Sequence, residues 1–244
     1  MTAIGLGLVI VGVVAYFAMI FALHRFTYRT WVFDVVVGVG ALSAALGWAT
    51  GGNTAVAIVT LALAGVWFVV SRLELRLHGS PGLALTVGSQ LPAVRMTTVD
   101  GEVVTGEDLR RHAPVLLVLY RGWWCPSSKL QLGELLDEYD RLSAAGLTIY
   151  AASVDQPEQA APLQAHVGDR ITILCGVTTE LLDAVGADDR RGAPWYDRVL
   201  FGVEKQDIAM PTSLVIDHEG RIVFACRADR LDDRLDPSQI LASL

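Results

Sequence analysis

The sequence has little cysteine, and the three it has are badly placed for the usual structural uses. Cys125, Cys175 and Cys226 show no metal-ligand spacing and cannot all pair within one chain. Five scattered histidines add no cluster, so neither a metal nor another cofactor is expected. Internal repeats and low-complexity tracts are lacking, which excludes solenoids and disordered arrays. Charge is scarce at the front. Residues 1–80 hold four basic side chains (Arg25, Arg29, Arg72, Arg76) and two acidic ones (Asp34, Glu74). Of the chain's 19 basic and 26 acidic residues, 15 and 24 therefore fall in 81–244, giving that part a net charge of −9. So acidic a region argues against a nucleic-acid partner.

What is present in excess is apolar. The chain of 244 residues is 52% hydrophobic with a mean hydropathy of +0.44, too apolar for an ordinary soluble protein. Three runs carry that excess, at about 3–23, 31–49 and 54–71, each long enough to cross a bilayer as a helix. A cleaved leader would need a basic flank and a small-residue cleavage site, which the first run lacks. Three such runs with almost no polar face predict a three-helix membrane anchor over 1–72, with the lipid bilayer as its partner. Arg25 and Arg29 follow the first run and Arg72 and Arg76 the third, while the 50–53 loop is uncharged. Basic flanks favour the cytoplasmic side, so the expectation is a multi-pass protein of the cell membrane with the large domain in the cytoplasm. Asp34, three residues into the second run, is expected to pair with Arg25 or Arg29, with a proton or quinone role as the alternative. Gly38, Gly40, Ala41, Ala44 and Ala45 offer a close-packing face, either to assemble the three spans or to dock a partner subunit.

Residues 73–82 read as a linker, and 83–244 as an α/β domain. Asp100-Gly101 predicts a hairpin turn between two short strands, and Thr105 to His112 a short helix. The apolar runs 115–120, 147–154 and 171–175 alternate with helical stretches near 126–145, 158–167 and 178–185, which predicts βαβ units and a largely parallel sheet. A closing hairpin, Thr212–Asp217 with Arg221–Cys226, and a helix from Pro237 complete the domain.

The chemistry is expected where the first of these strands ends. There the chain reads Tyr120-Arg-Gly-Trp-Trp-Cys-Pro-Ser-Ser128, and a helix-periodic stretch follows. Pro126 suits a first helical turn, so Cys125 should sit at a helix N-terminus, where unpaired N–H groups and the positive dipole end favour thiolate. Arg121 is placed either to stabilise that thiolate or to form a surface ion pair with an acid of this acidic domain. One of Trp123 and Trp124 should be core and the other a rim for a partner. Cys175 and Cys226 lie in apolar strands and read as core residues.

This box resembles the Arg-Gly-x-Trp-Cys-Pro-x-Cys motif of the peroxiredoxin-like redoxins, a thioredoxin-fold branch near the alkyl hydroperoxide reductase/thiol-specific antioxidant proteins. The likeness runs through 147–155 and 210–217 to 234–241 and covers about 84–244. It implies a thioredoxin-like domain and a thiol peroxidase or thiol–disulfide oxidoreductase acting through Cys125, with an external thiol as reductant. It also implies a cis peptide at Pro211, with the Met210 backbone beside Cys125. Two departures stand out. The family's second box cysteine is Ser128 here, so no disulfide can form within the box. The Thr and Pro that typical peroxiredoxins place three and seven residues before the thiol are Gly122 and Val118. A contrasting expectation follows from them: a non-catalytic accessory of a membrane complex, possessing a degenerate redoxin domain. Burial separates the two, because an enzyme needs Cys125 reachable from solvent, whereas an accessory would have its box sealed. The basic-aromatic stretch 188–207 is expected to be an insertion packed on the domain, with a cover over the site or a contact with the membrane surface as alternatives.

Overall fold

A computed structural model of the chain describes residues 1–79, 82–194, 198–199, 202, 208–233 and 236–243. The chain divides into two compact units, Met1–Arg76 and Leu77–Leu244.

The first unit is three helices: α1 (Thr2–Phe17, extended by a π-helical turn over Ala18–Ala22), α2 (Trp31–Ala49) and α3 (Thr54–Leu75). All three are long and apolar enough to cross a membrane. Their outward residues are also apolar, among them Ile10, Val14, Val35, Leu42, Ile58 and Val66. Small residues set the packing of α1 on α2. A side chain on Gly40 would run into the Gly5 carbonyl at 2.8 Å, and one on Gly5 would meet the Gly40 carbonyl at 2.5 Å. The buried face of α2 is Val37, Gly40, Ala44 and Gly47, so only part of the expected small-residue face is used inside the unit. Asp34 does not pair as expected. It accepts from Arg72 Nη1 at 2.8 Å and from Trp67 Nε1 at 2.9 Å, both on α3. Trp67 and Arg72 are five residues apart on α3, and the indole and the longer arginine side chain both reach the same carboxylate.

The second unit is a mixed sheet between helices. Its strands are β1 (Arg95–Thr98), β2 (Val103–Thr105), β3 (Val115–Leu119), β4 (Thr148–Ala152), β5 (Thr172–Cys175), β8 (Thr212–Ile216) and β9 (Ile222–Arg227). They are ordered β2-β1-β5-β4-β3-β8-β9. A separate two-residue pair, β6 (Asp188–Asp189) and β7 (Ile208–Ala209), lies between β5 and β8 in sequence. Among the described residues only β3–β4 and β4–β5 pair in parallel, so the expected largely parallel sheet is corrected. Both terminal pieces enter by hairpins, β1–β2 and β8–β9, and these can only add antiparallel strands. A register shift puts a bulge in β9 opposite Val215 and Ile216.

Alternate faces of the strands fill two cores, one around Leu117, Leu119, Leu174 and Leu214, the other around Leu116, Val118, Ile149 and Ile173. β3 is buried at all five positions, as expected of a central strand covered on both faces. Helix α4 (Gly106–Arg111) opens on a capping box between Thr105 and Asp108. The expected long helix after Cys125 is two: α5 (Pro126–Asp137) and α6 (Tyr139–Ala144), broken at Glu138. Helices α7 (Pro157–Val167), α8 (Thr179–Val185) and α9 (Pro237–Leu241) follow.

Candidate thiol site

The thiol stands at the exit of the central strand. β3 ends at Leu119, Tyr120 still pairs with the Ala152 carbonyl, and Gly122 turns the chain at φ 155°. Cys125 is the N-cap of α5, with Pro126 in the first turn. Its N–H donates to the Gly122 carbonyl at 3.1 Å, and its Sγ lies 3.1 Å from Ser127 Oγ. The sulfur thus stands beside the N–H donors of a helix N-terminus, although it makes no capping hydrogen bond to them.

Two buried aspartates hold this turn from outside it. Asp155, just past β4, accepts from the Trp123 N–H at 2.8 Å and from Ser153 Oγ at 2.8 Å, both on Oδ2. Burial pushes its carboxyl above the ordinary range, against the opposing hydrogen bonds from Ser153 and Trp123. Asp189, in β6, takes Arg121 Nη1 at 2.5 Å, with both side chains nearly sealed at 1% and 3% exposure. Arg121 therefore pairs with an acid, but in the interior and not on the surface. Its guanidinium also lies 5.8 Å from the Trp124 ring, a cation–π distance. Ser128 is buried and accepts the Arg121 N–H at 3.2 Å, closing the turn back onto α5.

Cys125 is 4% exposed, packed in a cluster with Trp124, Ala193 and Ile208, against which half-buried Trp123 and Val154 lie. Trp124 is therefore the core member of the pair and Trp123 the rim. Of the 188–207 stretch, the described Ala193 does cover the thiol, as does Ile208 just beyond it. Trp195, Tyr196, Leu200 and Phe201 lie outside the described residues.

Pro211 does not have the expected cis peptide. Among the described residues the cis bond is Ala113–Pro114. The Met210 N–H donates to the Ala187 carbonyl and the Ala228 N–H to the Pro211 carbonyl, so the chain runs into β8 already engaged on both sides. The Met210 side chain packs with Leu77 and Ala228, in a different cluster from Cys125. Cys175 is fully buried in the core, and burial with the nearby Asp155 and Glu158 charges pushes its thiol up to about 11. Cys226 is half-buried, and its thiol is raised by burial and by Asp233 and Asp229. Among the described residues no group of three metal-ligating side chains comes together.

A cysteine at an α-helix N-terminus, beyond the central strand of a mixed sheet, is the arrangement of a redoxin of the thioredoxin-like class. A family model described as AhpC/TSA matches residues 87–225, more than half of the chain, and the protein belongs to the AhpC/TSA family. It is 28% identical over 141 residues to a provisionally named peroxiredoxin of Mycobacterium tuberculosis, covering 58% of this chain and 84% of that protein. Among solved structures it is similar to the peroxidoxin BcpB of Mycobacterium tuberculosis, at TM-score 0.53 and 14% identity, over 65% of this chain and 96% of that one. It is also similar to the thiol peroxidase of Chromobacterium violaceum, at TM-score 0.52 and 15% identity, over 69% and 89%. At those identities the structures speak to the fold alone.

The sequence reading missed Asp155 and Asp189. An acid directly after an apolar strand, as in Ser153-Val-Asp155, lies at the sheet edge where sites form, and that was a usable signal. Asp189 carried none, because two adjacent acids in a charged stretch read as solvated.

Proposed function

We propose that this protein is a membrane-anchored thiol oxidoreductase of the peroxiredoxin kind, with Cys125 as its redox-active residue. The observation that carries the reading is the placement of Cys125 Sγ at the N-cap of α5, with the Ser127 hydroxyl 3.1 Å away. In the peroxidase reaction the thiolate attacks one peroxide oxygen. An S–O bond forms, the O–O bond breaks, and the leaving oxygen departs as water or alcohol after taking a proton. The sulfenic acid then needs two electrons from a thiol. Ser128 offers none, so an external thiol attacks the sulfenate sulfur, releases water, and a second thiol resolves the mixed disulfide. Arg121 and Ser128 shape the turn in this reading, and Pro211 leads the chain into the strand beside β3.

The three apolar helices supply the anchor, and the arginine flanks favour an arrangement with the amino terminus outside and the redoxin domain in the cytoplasm. A membrane-impermeant thiol reagent should then reach Cys226 in inverted vesicles and not in intact cells.

One observation favours a second reading, a non-catalytic accessory of a membrane complex: Cys125 is sealed to 4% exposure. Intact-mass and dimedone-capture kinetics with hydrogen peroxide, beside Cys125→Ser, decide between them. Fast capture that the serine variant abolishes supports the enzyme. Capture no faster than at Cys226 supports the accessory.

A further inference from the structure

The chain that follows the third apolar helix reaches the thiol turn through one carboxylate. Leu77 is buried with Met210 and Ala228, and its N–H donates to the Asp229 carbonyl at 3.1 Å. His78 then clasps β6 with both of its backbone groups. Its N–H donates to Asp189 Oδ1 at 3.1 Å, and its carbonyl accepts from the Arg190 N–H at 2.9 Å. Gly79 passes so close that a side chain there would overlap Met210 Sδ and come within 2.5 Å of the Asp188 carbonyl oxygen. Asp189 divides its oxygens: Oδ1 serves His78 and, at 3.3 Å, the Arg191 N–H, while Oδ2 serves Arg121. Arg121 begins the turn that Ser128 closes around Cys125.

We infer that Asp189 is a positioning residue for Cys125, and that Leu77–Gly79 is a working part of the thiol site and not merely a tether. The inference rests on reading Cys125 as the functional thiol. These three residues lie before the family-matched region, which begins at residue 87. The carboxylate is needed on both sides. An amide at 189 has one acceptor oxygen and presents an NH2 group to a donor, so it satisfies either His78 or Arg121 but not both. Without the Oδ2 link Arg121 loses this buried acidic partner, without the Oδ1 link His78 no longer holds Asp189 in place, and in either case the turn over the sulfur loosens.

The test uses the full-length protein in detergent, with Gly79→Val, Asp189→Asn and the double variant. The primary readout is the rate at which iodoacetamide alkylates Cys125, mapped by mass, which requires no peroxidase activity. Each single variant is expected to alkylate on the order of tenfold faster than wild type, because labelling of a sealed thiol follows local opening. The double variant is expected to be no faster than the faster single, since both cut one linkage; independent loosening would add. Gly79→Val, distant in sequence and on an exposed segment, keeps the test decisive should Asp189→Asn fold poorly. Alkylation within about twofold of wild type in Gly79→Val, or simple additivity in the double variant, overturns the inference. Peroxide capture run in parallel is expected to slow in the same variants. Wild-type protein that captures no sulfenate would remove the proposed activity, while the alkylation rates would still decide whether Asp189 holds the turn.

Discussion

The Trp123 N–H donates to Asp155 Oδ2 at 2.8 Å, so the strand beside β3 grips the thiol turn through a buried carboxyl. That carboxyl is held above its ordinary value, chiefly by burial. The folded state therefore binds the Asp155 proton more tightly than the unfolded chain does. Its contribution to stability is full below the unfolded carboxyl value and is lost as pH rises through the folded one. Asp155→Asn keeps an acceptor for Trp123 and Ser153 but does not titrate. Its stability relative to wild type should be flat below about pH 4 and should rise above that, as followed by paired thermal melts. A difference that stays constant or falls with pH would refute the assignment.

Gly122 stands where typical peroxiredoxins carry Thr, and the structure explains the departure. A Cβ at this position would lie 2.6 Å from Trp124 Nε1 and 3.0 Å from Asp155 Oδ1, at a φ of 155° that side chains disfavour. Restoring the family residue by Gly122→Thr should cost about 1–3 kcal/mol and should slow, not improve, any peroxide reaction. Denaturant unfolding and sulfenate capture check the two halves separately.

The three thiols should label in a fixed order. Cys226 is half-buried, Cys125 is sealed by a small cluster beyond the end of β3, and Cys175 is fully buried with a thiol pushed up to about 11. Native maleimide labelling mapped by mass should therefore proceed Cys226, then Cys125, then Cys175. Early labelling of Cys175 would mean that β5 opens independently of the rest.

In the apolar unit, Asp34 ties α2 to α3 through Trp67 and Arg72. Asp34→Ala should weaken the unit by about 1 kcal/mol, the scale of polar contacts between membrane helices. Loss should appear in detergent unfolding followed by Trp67 fluorescence. Arg25→Ala, on the partner first expected, should leave it unchanged.

Local signals were legible where one stretch of chain decides the outcome. Pro126 after Cys125 marks a helix start, Asp100-Gly101 marks a hairpin, and the three apolar runs stand out by length. Pairing across distance was not legible. Alternating strands and helices suggested parallel neighbours, yet the hairpins at both ends of the domain supply at least one strand to each antiparallel pairing described in the sheet. Arg25 and Arg29 are nearer Asp34 in sequence than Arg72, but helix packing brings Arg72 to it. Arg121 raised the same difficulty. Its partner comes from 68 positions away, and its burial depends on elements that no local pattern announces.

The two outer strands of the sheet bear on how such chains coexist at high density. Helices confined to one plane raise the local concentration of whatever they carry, and open strand edges would then invite edge-to-edge aggregation. Here one edge, β2, is only three residues long, and the other, β9, is bent by its bulge. Short and bulged edges are poor templates for strand addition. The sheet therefore offers crowded neighbours little to pair with, and self-association through it should remain weak even where the chains are packed closely.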